Sequence, residues 1–471
     1  MRNFICLPAA MALALPGLSA REKQPNILFI LTDDQRWDAL GYAGNPYIHT
    51  PNLDRLAQQG VYFKNSFVTT PLSGASRASI LTGLYERTGG YTFGVGDIPK
   101  DLLDHSYPVL LHDAGYYTGF YGKFGVNYPA AELKKYFDKI EVLGRSGPKG
   151  YFYKTIDGDT VHLTDYMGWS AEKFLRSAPK DKPFCLSLSF NAPHAHDKAV
   201  EQYFWPKTED HLYRDVIMPD ALISEEKYFL AQPEYVREGI NRERWFWRYD
   251  TPEKYQHSIK GYYRMISGVD RVVGQIREVL RQTGQGDNTV IIFMGDNGYF
   301  EGERQLAGKW LMYDNSLRVP LIIYDPRGKG HRDVEQMALN IDIAPTILNY
   351  CGVAVPQRVQ GLDLGVYTTS GKGRIDRDKF LCEHRWATKL VAASEGIRTE
   401  GWKYFRYCDH PGSEHLYELT VDPLEVNNLA GDPRYAKKLE ELRRQCDELI
   451  AAGLRERTAL GVDYNVKKKK K

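Results

Sequence analysis

Cysteine is scarce in this chain of 471 residues, with six in all: Cys6, Cys185, Cys351, Cys382, Cys408 and Cys446. None stands in a C-x-x-C pair or at a Cys/His zinc spacing, which argues against both a structural zinc and a disulfide framework. A basic excess is also missing. Lys and Arg number 62 against 60 Asp and Glu, and five of the positives form the terminal run Lys467–Lys471. The rest of the chain is slightly acidic, so a general nucleic-acid binder is excluded. Past the N-terminus no stretch reaches the ~18 consecutive apolar residues of a membrane span. Internal repeats are absent. With 42% hydrophobic and 26% charged residues, the composition is that of a globular chain able to bury a large core.

The N-terminus reads as a targeting segment. Arg2 is a short basic start, Phe4 to Leu15 is apolar, and Leu18-Ser19-Ala20 ends on small residues. This is the pattern of a secretory signal over residues 1–20, which predicts an exported protein, periplasmic with secreted as the alternative. Removing Cys6 with it leaves five cysteines, so at least one thiol is free.

Short, nearly continuous apolar runs predict strands buried on both faces: Asn26–Leu31, Thr118–Tyr121, Phe184–Phe190, Val290–Met294 and Pro320–Tyr324. Helical patterns lie between them. Thr50-Pro51 opens one as N-cap and first helical residue, and Gly60 stops it. Another, His257 to Gln282, carries Ile259, Tyr263, Ile266, Val269, Val273, Ile276 and Leu280 on one face. The expected fold is α/β, a large mostly parallel mixed sheet flanked by helices over residues 21–355. Beyond it, shorter polar-aromatic strands and an amphipathic helix predict a smaller C-terminal α+β subdomain with an antiparallel sheet, residues 356–466. Residues 467–471 form a lysine tail. The aromatic, charged segment Glu201–Thr251 reads as a long surface excursion able to shape a substrate site.

Chemistry collects where the strands end. Asp33-Asp34 follows the first, Lys123 the second, His194 the third, and Asp296-Asn297 the fourth. In an open parallel sheet these ends share the edge where ligands bind. Asp33, Asp34, Asp296 and Asn297 offer only oxygen, which favours a hard cation and leans to Ca²⁺; the plainer reading is a pair of Asp side chains satisfied by backbone N–H groups. Residues Ser73 to Gly83 read as a short helix with Ser73 at or just before its N-terminus and Arg77 one turn on, an arrangement suited to an anion; the plainer reading is a Ser N-cap with a solvated Arg.

Ser73-Gly74-Ala75-Ser76-Arg77, continued by Leu81-Thr82-Gly83, resembles the signature of the formylglycine-dependent sulfatases of the alkaline-phosphatase superfamily. The similarity extends to Asn26–Asp34, His49–Ala57, Gly295–Gly298, Leu306-Ala307-Gly308-Lys309-Trp310 and Leu416–Leu419, and so to nearly the whole chain. The resemblance implies the alkaline-phosphatase-like fold and hydrolysis of sulfate esters on glycans. It implies that a maturase oxidises Ser73 to formylglycine, whose hydrate attacks sulfur. It implies Ca²⁺ held by Asp33, Asp34, Asp296 and Asn297 with residue 73 beside the ion as a further ligand. Arg77 would steady the nucleophile, Lys123 and Lys309 would bind sulfate, and His194 would protonate the leaving sugar oxygen. His384 and Arg385 are candidates for contacting the sugar, with a surface salt-bridge cluster as the plainer alternative. A 6-O-sulfated hexosamine or galactose is the leading substrate. The family's usual histidine after Gly-Lys-Trp is here Gly125, which leaves one proton-transfer step without a residue. Two rivals stand beside this reading: a phosphoester hydrolase of the same superfamily, and a non-catalytic binder of sulfated glycans.

Overall fold

The computed structural model describes residues 24–462 apart from 147–149, 198 and 371. The signal segment and the lysine tail lie outside the described residues.

Eight strands form the main sheet: β1 (Asn26–Thr32), β2 (Val61–Phe63), β3 (Tyr117–Gly122), β4 (Lys139–Val142), β5 (Phe184–Ser189), β6 (Thr289–Gly295), β7 (Leu321–Tyr324) and β8 (Arg332–Val334). Their spatial order is β8-β2-β7-β6-β1-β5-β3-β4. The run from β6 to β4 is parallel, and β7 is antiparallel to both its neighbours. Alternation along β1 explains why its run is wholly apolar. Ile27, Phe29 and Leu31 enter the core on one face, while Leu28 and Ile30 enter the core on the other.

Helix α1 (Pro51–Gln59) begins where predicted, but its cap differs. The Thr50 hydroxyl is turned to Gly41 and Asp54, and the first free N–H groups of α1 donate instead to Asp270. Asp270 belongs to the long helix α5 (Pro252–Gln282), so a tertiary carboxylate does what a local cap usually does. Helix α2 (Ser73–Thr82) is buried along its whole length and ends at Gly83, with φ of 69°. The segment 201–251 is less of a surface excursion than expected. Tyr203, Tyr249 and Arg248 are buried, and helix α4 (Ile240–Arg248) packs against the Ala307–Lys309 segment. In chain order, α3 (Leu163–Ser177) lies on the sheet face that also carries α5.

The C-terminal part is a four-stranded antiparallel sheet of β9 (Lys379–His384), β10 (Ser394–Thr399), β11 (Trp402–Tyr407) and β12 (Glu414–Glu418). Helix α6 (Ala436–Ala459) lays Leu439, Leu442 and Cys446 on Leu381, Ile397, Tyr404 and Leu416. The expected α/β fold with a smaller α+β unit is what the chain adopts. All five cysteines among the described residues are free thiols.

Candidate active site

Strand register builds the site. Thr32 pairs with Gly295, Leu31 with Ser189, and Ser189 with Gly122, so four parallel strands end level. The backbone continues the alignment for one more residue: Asp296 N–H donates to Thr32 O, Lys123 N–H to Ser189 O, and Asp33 N–H to Ala192 O. The residues after the strands therefore meet at one edge, and α2 points its first turn at them.

Ser73, the first residue of α2, is 3% exposed. Its Oγ lies 3.0 Å from Asp33 Oδ1 and 3.1 Å from Asn297 Oδ1, and it accepts from Lys309 Nζ at 2.8 Å. The Lys309 ammonium also sits on Asp34 Oδ1, and Lys123 Nζ donates to Asp33 Oδ2 at 2.6 Å. Arg77, far from being solvated, is 2% exposed. Its Nε donates to Asp296 Oδ2 at 2.9 Å and its Nη1 to Lys123 O at 2.7 Å and to the Ser189 hydroxyl, while Nη2 has no hydrogen-bond partner. Asn297 Nδ2 donates to Asp34 Oδ1 at 2.7 Å, and the Asp34 N–H to Asp296 Oδ1 at 3.0 Å. Asp34 holds a left-handed backbone, φ 71°, strain that turns its carboxylate inward.

His194 Nε2 faces Asp34 Oδ2 at 3.5 Å. Its Nδ1 lies 2.7 Å from Arg145 Nη1 and 2.6 Å from Ala195 O, and Arg145 also donates to that carbonyl. Nδ1 thus lies between a donor, the Arg145 guanidinium, and an acceptor, the Ala195 carbonyl, while Nε2 faces the site. Sequence reasoning missed Arg145, although it follows β4 as the other site residues follow their strands. It missed Ser189, a strand residue with nothing to distinguish it.

Electrostatics separate the groups. Burial would raise the Asp33 carboxyl, but Lys123, His194, Arg77 and Lys309 outweigh it and hold the group well below the ordinary range. Asp296 is pushed up by burial despite the charge of Arg77. Burial lowers Lys123 to about 8, whereas Lys309, though also buried, is raised by Asp34, Asp33 and Asp296. Burial and Arg145 hold His194 well below its usual value, hence neutral.

The donor set suits a hard cation. Asp33, Asp34, Asp296 and Asn297 are each at most 1% exposed and present oxygens, and Asp34 Oδ2 has no hydrogen-bond partner. Buried carboxylates this close are stable only with cations among them. Ligand atoms of Asp33, Asp34 and His194 lie within 4.8 Å of one another. Asp296 stands outside that trio, its oxygens engaged by Arg77 and the Asp34 N–H.

The remaining candidates, His384 and Arg385, take no part in the hydrogen bonds around Ser73. His384 is fully buried at the end of β9, its ring against the edge of Trp386. Arg385 lines a cleft with Arg87, Glu395, Arg406 and Tyr407. At Gly125, φ is 73° and a Cβ would lie 2.4 Å from Arg77 Cδ, so a histidine there would displace the arginine.

A serine hydroxyl at a buried helix start, set among carboxylates and cations, suits a hydrolase for anionic esters. The chain belongs to the sulfatase family: the family model "Sulfatase" matches residues 25–353, and "N-sulphoglucosamine sulphohydrolase, C-terminal" matches 302–452. It is a sulfuric ester hydrolase. It is 29% identical to an N-acetylglucosamine-6-O-sulfatase of Bacteroides thetaiotaomicron, over 93% of this chain and 89% of the relative. An ulvan-active sulfatase of Formosa agariphila is 27% identical over 94% and 86%. The solved structure of BT4656 in complex with its substrate D-glucosamine-2-N,6-O-disulfate superposes with a TM-score of 0.78 at 26% identity, covering 95% of this chain and all of that one. A phosphonate monoester hydrolase of Agrobacterium radiobacter, 23% identical with a TM-score of 0.76, shares the fold.

Proposed function

We propose that the protein is an exported, periplasmic sulfatase that removes sulfate from glycans, with a 6-O-sulfated hexosamine as leading substrate. The resemblance to the N-acetylglucosamine-6-O-sulfatase supports the sugar. We place the catalytic domain at 21–355 and the C-terminal subdomain at 356–466. Among the described residues no helix is long and apolar enough to cross a membrane. The observation that carries the reading is the Ser73 hydroxyl touching Asp33, Asn297 and Lys309 at once.

Asp33, Asp34, Asp296 and Asn297, with residue 73, would hold Ca²⁺, which when bound supplies positive charge against the sulfate oxygens. Ser73, matured to formylglycine by a maturase, would supply a hydroxyl nucleophile that an unmodified serine cannot regenerate. The chain's own residues do the rest. Lys309 and Lys123 face sulfate as point charges from two sides, and the α2 N-terminus adds its free N–H groups. Arg77, braced on Asp296 and the Lys123 carbonyl, brings Nη2 to 3.9 Å from Asp33 Oδ1, the oxygen that the Ser73 hydroxyl also touches, and would steady the nucleophile from there. His194 faces the site through Nε2 and, taken to the imidazolium when the anionic ester binds, delivers its Nε2 proton to the departing sugar oxygen and is left neutral. Because His384 is enclosed, its part would be to seat Trp386 rather than to touch a sugar.

The test is mass spectrometry of the peptide containing residue 73 from protein coexpressed with a serine-competent maturase, beside turnover of a panel of defined sulfated sugars. The reading requires loss of two hydrogen atoms at residue 73 and release of sulfate, and Ser73→Ala must abolish turnover. Absence of both signals in the wild type would leave a glycan-binding protein instead.

A further inference from the structure

Beside the sulfate pocket lies a second cationic group that the reaction does not use. Arg244 and Arg248, one turn apart on α4, share a single carboxylate. Arg244 Nη2 donates to Asp197 Oδ2 at 2.5 Å, and Arg248 Nη2 holds Oδ1. Both arginines are buried, at 8% and 0% exposure, and among the described residues Nε and Nη1 of each have no hydrogen-bond partner. Two guanidiniums against one carboxylate leave an uncompensated buried charge and four unpaired donor nitrogens, a costly arrangement for a purely structural triad. The Asp197 side chain is 29% exposed, so the carboxylate stands on the solvent side of the pair.

The pair is fixed to the catalytic machinery. Asn241 on the same helix donates to Ala307 O and Lys309 O, each at 3.0 Å. The Arg244 guanidinium lies 4.5 Å from the Trp310 ring centroid, next to Lys309. Gly308, with φ of 104°, makes room for it: a Cβ there would lie 3.2 Å from Arg244 Nη1. Asp197 lies three residues after His194, and Gly308, which lies against Arg244, directly precedes Lys309, so the pair is on the His194 and Lys309 side of the site.

We propose that Arg244 and Arg248 form a second anion subsite, which takes a carboxylate or a further sulfate on the sugar whose ester is held at residue 73, with Asp197 as the internal stand-in that yields its place. The guanidinium fork suits either group, and Trp310 orders the arginine for it. This inference rests on the glycan-sulfatase reading.

Calorimetry on the full-length, calcium-loaded Ser73→Ala protein tests it with three ligands: a 6-sulfated hexosamine, its N,6-disulfated form, and a 6-sulfated disaccharide carrying a uronate. At least one doubly anionic ligand should bind about tenfold more tightly than the singly sulfated sugar, and which one does so separates sulfate from carboxylate. Adding Arg244→Gln should bring the ratio close to one. Asp197→Asn should raise the ratio, because it removes the competitor, whereas a purely structural triad would weaken all ligands alike. If Arg244→Gln does not fold, the Asp197→Asn arm decides. Equal affinity for all three ligands would overturn the subsite alone; no affinity for any sulfated sugar would overturn the glycan reading and the subsite with it.

Discussion

Lys309 Nζ donates to Ser73 Oγ at 2.8 Å while the same ammonium neutralises Asp34. One cation therefore serves both the proposed nucleophile and a carboxylate of the proposed calcium site. Lys309→Met should lower kcat/KM by about 10²–10³, the usual cost of losing one preorganised charge at a reacting centre. It should also destabilise the calcium-free protein by roughly 3–5 kcal/mol, since Asp34 is left charged and buried without its partner. Steady-state kinetics and urea melts check the two effects separately. A variant with wild-type kinetics would remove Lys309 from the sulfate site.

Asp296 carries a second such link, to Arg77 Nε at 2.9 Å. Asp296→Asn keeps the shape but removes a charge, and should lose both calcium, read by elemental analysis, and turnover. Chelation of the wild type should mimic it and lower Tm, because a ligand bound only by the folded state stabilises by mass action. Full activity in a metal-stripped preparation would refute the calcium assignment.

Away from the site, three histidines are buried in neutral form. Burial lowers His162 and His384 to about 3 and His415 to about 4. His162 shows why: its Nδ1 accepts from Thr164 N–H, its Nε2 donates to Phe204 O, and Tyr151 stacks on it. Each folded pKa lies below the unfolded value of about 6.5, so the contribution is complete above pH 6.5 and lost as pH falls toward 4. Between pH 6 and 5 the three together should reduce unfolding free energy by up to ~4 kcal/mol per pH unit. Denaturant melts across that window measure the slope, and His162→Gln should remove about a third of it. A flat profile would contradict neutral burial.

The strand-end rule explains how much was legible. Asp33, Lys123, His194 and Asp296 each follow an apolar run, and equal register turns that one-dimensional pattern into one edge. What escaped depends on packing across the fold. Nothing local marks Asp270 as the partner of α1, because the cap comes from more than 200 residues away. The Cys382–Trp386 stretch looked like a pocket rim, yet pairing of β9 with β10 buries His384 on the strand. The aromatic density of 201–251 suggested surface, whereas α4 uses it to brace the Lys309 segment.

Gly125 marks a different constraint. Its φ of 73° disfavours any side chain, and a Cβ would meet Arg77 Cδ at 2.4 Å. Gly125→Ala should cost about 1–2 kcal/mol from the backbone alone. By pushing Arg77 off Asp296 it should also reduce kcat more than KM. Gly125→His, restoring the family's usual residue, should fall further rather than gain activity. A His variant faster than wild type would show that Arg77 tolerates displacement.

His194 offers the sharpest division between binding and chemistry. Arg145 and the Ala195 carbonyl at Nδ1, with Asp34 before Nε2, hold the imidazole with Nε2 toward the site. A sugar oxygen leaves poorly without that proton, whereas a nitrophenolate leaves well. His194→Ala should therefore lower kcat on sulfated sugars by about 10²–10⁴ and on an aryl sulfate by far less. Arg145→Met should show the same split in weaker form: with no positive charge beside the ring, the imidazolium becomes a weaker acid. It should shift the kinetic pKa of the histidine upward, because the guanidinium's repulsion of the imidazolium is gone. Paired pH–rate profiles on the two substrate types measure both effects. Equal losses on sugar and aryl esters would assign His194 to sulfate binding and leave the leaving-group proton to another residue.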